Sequence, residues 1–202
     1  MKKILIITER RADFSRFKPV IDKINKDKKL DYMLVVTGIH LLKKYGYSIN
    51  EIRKTGLKIN KTFKMYSNVS LHNDDGATMV SSFGVAIINL SKILKKMKPD
   101  VVLSGFDIAA NFAVTVAAAH MNIPVAHIQG GEVSGTIDES IRHAMSKFSH
   151  YHLVSNKDAQ QRLIKMGEEK SKIHIVGCPS LEALFNEKLL DEKMLNKKFG
   201  ID

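Results

Sequence analysis

Short apolar runs alternate with longer amphipathic stretches from one end of this 202-residue chain to the other. Ile4–Thr8, Met33–Thr37, Leu57–Phe63, Val101–Ser104, Ile123–Ile128, Tyr151–Ser155 and Ile173–Val176 read as strands, the third of them edge-like. Between them, Phe14–Ile24, Met79–Met97, Ala109–Met121, Ile137–Phe148 and Asp158–Met166 carry apolar residues every three or four positions, the spacing of a helix face. Strand and helix in this order and at these lengths predict an α/β fold: a Rossmann-like parallel sheet with helices on both faces. Pro99 stops the long helix, and Lys92, Lys95, Lys96 and Lys98 sit near its C-terminal end, where cations suit the helix dipole.

Composition narrows the class further. Apolar residues make up 44% and charged residues 26%, an ordinary globular balance. No run of about 18 consecutive apolar residues occurs, so no membrane partner is expected. The start, Met1–Thr8, is too short in its apolar part for a signal peptide and is followed at once by Glu9-Arg10-Arg11. One cysteine, Cys178, excludes an intrachain disulfide and a thiolate metal cluster, and a cytoplasmic location is the expectation. The net charge of +11 is uneven: residues 1–100 hold 21 Lys/Arg against 9 Asp/Glu, and residues 101–202 hold 11 against 12. Lys-rich solvated faces explain this, and no aromatic-and-basic pattern calls for a nucleic acid.

In an open parallel sheet, ligands sit outside the carboxyl ends of the strands. Glu9–Arg16 comes directly after the first strand. It lacks the glycines of a dinucleotide fingerprint or P-loop, and offers cations, Arg11 and Arg16 among them, beside a helix start. Asp13 reads as that helix's N-cap. Asp107, after the strand at Val101–Ser104, reads as a helix cap or an acid/base group. The richest segment comes after Ile123–Ile128: Gln129-Gly130-Gly131-Glu132-Val133-Ser134-Gly135-Thr136-Ile137-Asp138-Glu139-Ser140-Ile141-Arg142-His143. Thr136 and Glu139 fit a capping box, and Asp138 and Arg142 have the spacing of an ion pair. His127 reads as a satisfied buried histidine. His143, His150 and His152 lack zinc spacing, so no metal is expected. Glycine freedom, carboxylates, an arginine and a histidine in fifteen residues mark a candidate site.

Arg11-Ala12-Asp13-Phe14, Val36-Thr37-Gly38 with Tyr45-Gly46, the His127–His143 segment and Gly177-Cys178-Pro179-Ser180 resemble the hydrolysing UDP-N-acetylglucosamine 2-epimerases of sialic- and legionaminic-acid-type pathways. The resemblance runs from residue 1 to about Leu184. It implies one half of a glycosyltransferase-B-like two-domain fold, with 1–184 as the N-terminal domain and 185–202, charged and helical, leading to a second domain. It implies hydrolysis of UDP-GlcNAc, or a related amino-sugar nucleotide, to the free C2 epimer (N-acetylmannosamine type) and UDP, without a cofactor. By motif, Asp107, Asp138 and Gln129 fall on catalytic positions, and Arg11 and Arg142 on substrate-binding positions; Glu132 joins the expected catalytic set, and Arg16 and His143 the expected substrate-binding set. A homodimer is also implied. Two departures stand out. Gly105-Phe106-Asp107 replaces the family's Gly-Asp-Arg, and Gln129 stands where many members have a catalytic Glu. An amide cannot act as a base. A related branch with an altered substrate, bacillosamine-type or GDP-linked, fits these changes. The rival readings are an inactive truncated domain and a glycosyltransferase of the same architecture.

Overall fold

Seven strands form a single parallel sheet in the order β3-β2-β1-β4-β5-β6-β7. The computed structural model describes residues 1–66, 75–186 and 192–200. In chain order the elements are β1 (Lys2–Thr8), α1 (Arg11–Lys26), β2 (Leu30–Val36), α2 (Ile49–Lys54), β3 (Ile59–Thr62), α3 (Gly76–Met97), β4 (Val101–Gly105) and α4 (Ala109–His120). Then come β5 (Val125–Ile128), α5 (Ile137–Phe148), β6 (Tyr151–Val154), α6 (Lys157–Lys165), β7 (Ile173–Ile175), α7 (Pro179–Asn186) and α8 (Glu192–Phe199). Every predicted strand is present, and the third, β3, lies at the sheet edge.

The near-continuous apolar character of β1 has a direct cause. Leu5 and Ile7 enter a core beneath α3 and α4, with Leu90, Leu94, Ala113 and Ala117. Ile6, on the opposite face, packs with Phe17, Ile21, Ile49 and Ile52 from α1 and α2. A strand buried on both faces has no polar side to show. The alanines of α4 bring that helix close to the sheet, and Phe112 stacks on Phe83 of α3 with ring centroids 5.0 Å apart. A third, smaller cluster joins Val154, Ala159, Leu163 and Ile173 beneath α6.

Some boundaries move. Helix α1 starts at Arg11, ahead of the expected Phe14, and contains Pro19. Asp13 is therefore not the N-cap. Arg10 holds that position, and Asp13, in the first turn, accepts the Arg10 backbone N–H at 3.0 Å. Strand β2 begins at Leu30, three residues early, because Lys2 pairs with Leu30 in the ladder. Helix α2 was not anticipated; only Ile49 and Ile52 mark its buried side. Helix α3 is 22 residues long and, among the described residues, is the one helix long and apolar enough to cross a bilayer. Its Ala86, Leu90 and Leu94 are buried in the sheet core. Helix α7 packs against α1 and runs through the expected boundary at 184/185. Of the tail expected to be helical, 192–199 forms α8, and 187–191 and 201–202 lie outside the described residues.

Candidate active site

The strand order reverses between β1 and β4, and the crevice expected at such a switch point opens there. Strands β4 and β5 end in register, Gly105 opposite Ile128. The next residue in each, Phe106 and Gln129, has a left-handed backbone, with φ of 61° and 58°. Non-glycine residues at such angles carry strain of about 1–3 kcal/mol, and they concentrate at functional sites. Two adjacent strands thus turn sharply at one level and deliver Phe106-Asp107 and Gln129 to the same cavity.

That cavity, of about 350 Å³, is lined by Asp107, Gln129, Glu132, Arg142 and Arg16, with Ser155 and Cys178 from beyond β6 and β7. Arg142 is nearly buried and organises it. Its guanidinium pairs with Asp107, donates to the Glu132 carbonyl at 2.8 Å and reaches Ser134 Oγ at 3.5 Å. The expected Asp138–Arg142 pair does not form: Arg142 reaches inward, across 35 residues of sequence, to Asp107. Asp107 caps no helix, since Ile108 is the N-cap of α4. Asp138 is exposed and, with Asp107, lines an adjoining cavity of about 570 Å³.

The glycine-rich loop is fixed at several points. Thr136 caps α5 by accepting the Asp138 N–H. Glu139 does not complete the expected box; it reaches further back, accepting from Ser134 N at 2.8 Å and Gly135 N at 2.9 Å. Those bonds hold its carboxyl below the usual range. His143 Nε2 lies 3.9 Å from Glu139. Arg162 donates to the Gly131 carbonyl. Gly131 has φ of 79°, and a Cβ there would lie 2.5 Å from the Ala159 carbonyl oxygen. Gly131→Ala is expected to lower stability by about 2–4 kcal/mol in urea denaturation, from left-handed strain and the backbone clash together.

Arg11 lies elsewhere. It forms a two-point pair with Glu51 of α2, at 2.9 and 2.6 Å, and lines neither cavity. Arg16 lines both, lies 4.9 Å above the Phe106 ring, and has no carboxylate partner among the described residues. Gln129 Nε2 reaches Ser155 Oγ at 3.5 Å and Cys178 Sγ at 3.4 Å, while its Oε1 is buried without a partner. Sequence reasoning missed Ser155 and Cys178 as lining residues. The signal was there: both lie just past the carboxyl ends of strands β6 and β7, the same edge of the sheet that carries the other candidates.

Beneath the cavities lies a buried polar network that local sequence pattern does not reveal. Glu9, fully buried, accepts the Ala110 N–H of the α4 N-terminus at 2.9 Å, the Tyr66 hydroxyl at 2.8 Å and Arg10 at 3.2 Å. Asp13 accepts from Thr8 Oγ1, the Glu9 and Arg10 backbone N–H groups, and Asn111. Burial nevertheless raises the Asp13 carboxyl to about 6. His40, between Thr8 and Ser48, is lowered to about 4, chiefly by burial. His127 is lowered to about 3 by burial and then by His152, Arg142 and His143. It is only half satisfied: Nδ1 contacts Ser146 Oγ at 3.1 Å and Nε2 has no partner.

These shifts set a pH dependence. Between pH 6.5 and 4 the unfolded chain protonates His40 and His127 while the folded chain does not, so acidification removes stability. Asp13 acts oppositely below about pH 6, taking up its proton in the folded state first. Two histidines outweigh one carboxyl. The expected thermal midpoint falls as pH is lowered from about 7 to about 5, and falls more steeply in Asp13→Asn, as thermal scans across that range would show.

The UDP-N-acetylglucosamine 2-epimerase family model matches residues 22–201. The chain is 36% identical over 202 residues to the UDP-N,N'-diacetylbacillosamine 2-epimerase (hydrolyzing) of Legionella pneumophila, covering 100% of this chain and 52% of that protein. It is 35% identical over 201 residues to the UDP-N-acetylglucosamine 2-epimerase of Neisseria meningitidis serogroup B, covering 100% and 52%. Among solved structures, the Neisseria meningitidis UDP-GlcNAc 2-epimerase bound to UDP-GlcNAc superposes with a TM-score of 0.80 at 21% identity, covering 99% of this chain and 54% of that one. The Acinetobacter baumannii MurG structure shares the fold at a TM-score of 0.60 and 13% identity, covering 89% and 46%. The architecture is thus one half of a glycosyltransferase-B-like fold. The chain spans about half the length of the curated relatives it matches. By the match over residues 22–201 and the identity to these relatives, the chain belongs to the UDP-N-acetylglucosamine 2-epimerase family.

Proposed function

We propose that the protein at its natural length is a hydrolysing nucleotide-sugar 2-epimerase. It converts a nucleoside-diphosphate-linked 2-acetamido sugar, UDP-GlcNAc or a related amino-sugar nucleotide, plus water to the free C2 epimer and the nucleoside diphosphate. The observation that carries this reading is the convergence of Asp107, Glu132, Arg142 and Arg16 on one cavity at the carboxyl end of the sheet, in a chain of this family.

The chemistry explains why such groups are needed. The C2 proton of a pyranose has no neighbouring carbonyl to acidify it, so its removal must accompany departure of the diphosphate from C1. A carboxylate takes the C2 proton, the C1–O bond breaks with its electrons leaving on the diphosphate, and a C1–C2 double bond remains. Water then adds its oxygen to C1, and a proton returns to C2 on the opposite face. Asp107, Glu132 and Asp138 supply the carboxylates for the two proton transfers. Gln129, an amide, orients rather than transfers. Arg16 is the cation placed to meet the departing diphosphate, while Arg142 holds Asp107 in place and adds positive charge beside it. His143 lies one turn along α5 from Glu139, its Nε2 3.9 Å from that carboxylate, and stays in the proposed substrate-binding set. Arg11, engaged with Glu51, serves the nucleotide only if that exposed pair opens. The N-terminal unit, expected to end at 184 and carried by α7 to Asn186, forms one wall of the active cleft, and the segment after it leads toward the other; a homodimer and a cytoplasmic location complete the reading.

The test is the product. Incubation with UDP-GlcNAc and with other UDP-amino sugars, monitored by proton NMR, should show free UDP and the C2 epimer appearing together. Release of no nucleoside diphosphate from any of them would sink the proposal.

A further inference from the structure

Resting on the epimerase reading above, we propose that Arg10, the residue before the arginine that the motif singles out, binds the phosphate joined to the sugar. Arg10 lines the cavity of about 570 Å³ together with Arg16, Asp107 and Asp138. The carboxylates that serve C2 stand in that cavity, so C1 and the phosphate bonded to it enter there too.

The helix ends beside this cavity are closed to an anion. A helix N-terminus at the crevice of a parallel sheet is the usual phosphate holder, through its free backbone N–H groups and its dipole. Both N-termini that flank the β1/β4 crevice are occupied by carboxylates of the chain itself. At α4, Glu9 accepts the Ala110 N–H at 2.9 Å. At α1, Asp13 accepts the Glu9 N–H at 2.9 Å and the Arg10 N–H at 3.0 Å. Both carboxylates are fully buried. A phosphate that displaced either would leave it buried without those donors, which is costly. The phosphate is therefore left to side-chain cations.

Arg10 has donors to spare. A guanidinium carries N–H groups on three nitrogens. Here Nη2 meets Glu9 Oε1 at 3.2 Å, and Nε is buried with no partner. An unpaired buried donor is unfavourable in the chain alone, and a small turn of the guanidinium about Glu9 offers it to a ligand oxygen. Glu9 is a fixed anchor for that turn, since it also holds the Tyr66 hydroxyl at 2.8 Å and the Ala110 N–H. The Arg10 side chain is 40% exposed, against 0% for Glu9, so one edge rests on the buried acid and the remainder faces the crevice. Arg16, 4.9 Å above the Phe106 ring, brings a second guanidinium to the same cavity. Two such forks suit the oxygens of a phosphate. Arg11, in its two-point pair with Glu51, lines neither cavity.

The experiment titrates UDP, and UMP beside it, into the protein at its natural length by calorimetry, in wild type, Arg10→Gln, Arg10→Lys and Lys28→Gln. Arg10→Gln should weaken UDP binding by about tenfold or more. UMP lacks the sugar-side phosphate and should weaken by about twofold or less. Arg10→Lys keeps a charge beside Glu9, so it folds even if Arg10→Gln does not. It loses the fork, and its UDP binding should weaken by about threefold or more. Lys28→Gln removes an exposed cation between α1 and β2 and should leave both affinities unchanged. With UDP-GlcNAc, Arg10→Gln should also lower kcat, because charge grows on that phosphate as the C1–O bond breaks. UDP affinity unmoved in Arg10→Lys and in folded Arg10→Gln, an equal loss for UMP, or no binding of UDP to the wild type would overturn the assignment. Turnover of a nucleotide sugar would then still uphold the epimerase reading. UDP binding that depends on Arg10, in a protein that turns over no nucleotide sugar, would sustain the assignment and overturn that reading.

Discussion

Asp107→Asn is expected to lower turnover of the protein at its natural length by about 10²–10⁴-fold, with the thermal midpoint moving by only a few degrees. The asymmetry comes from the site. An asparagine carbonyl still accepts from Arg142, and Arg142 keeps its bond to the Glu132 carbonyl, so the loop stays in place. What disappears is the carboxylate that, on the proposed mechanism, takes or returns a proton at C2. Steady-state release of UDP, read beside a thermal scan, separates the two effects. Loss of folding together with loss of activity would make Asp107 a structural partner of Arg142 and nothing more. Unchanged turnover would remove it from the proton transfers.

Phe17→Ala carries the largest expected cost to stability, about 3–5 kcal/mol. Phe17 is fully buried at the centre of the α1 and α2 face. Its ring meets Phe106 edge to face, with centroids 4.9 Å apart. Truncation leaves a cavity beneath Phe106, the residue whose left-handed backbone presents Asp107. A second effect is therefore expected: any fraction that remains folded should show a reduced kcat, because Phe106 loses its support. Urea denaturation gives the first quantity, and turnover normalised to folded protein gives the second. A cost near about 1 kcal/mol would mean that the site collapses onto α1 more readily than its packing suggests.

The parallel sheet was legible because both faces of its strands are covered. Ile4–Thr8 and Val101–Ser104 read as unbroken apolar runs for that reason, and Ala109–Met121 showed close packing through its alanines. The glycine-rich segment was legible because Gly130 and Gly131 sit where no side chain fits: a Cβ at Gly130 would lie 2.8 Å from His127 Nδ1. What stayed hidden was long-range pairing. Asp138 and Arg142 have ideal helix spacing, yet the guanidinium prefers Asp107, placed beside it only by sheet topology. Glu9 shows in the sequence only as the residue just past the first strand, yet it seals the N-terminus of α4 across 101 residues. Arg11 matched a motif position, but Glu51, on a helix too short to show a clear apolar period, engages it. Local pattern identifies which segments carry chemistry; only the fold decides which charges meet.

The most direct test of the central claim is the fate of solvent atoms in the product. The protein at its natural length is given its nucleotide sugar in deuterium oxide containing ¹⁸O, and the released sugar is analysed by NMR and mass spectrometry before its anomeric oxygen exchanges. Elimination and then hydration predict one deuteron at C2, inverted configuration at C2, and ¹⁸O at C1. A product that keeps its original hydrogen at C2, or carries ¹⁸O only on the diphosphate, would contradict that mechanism.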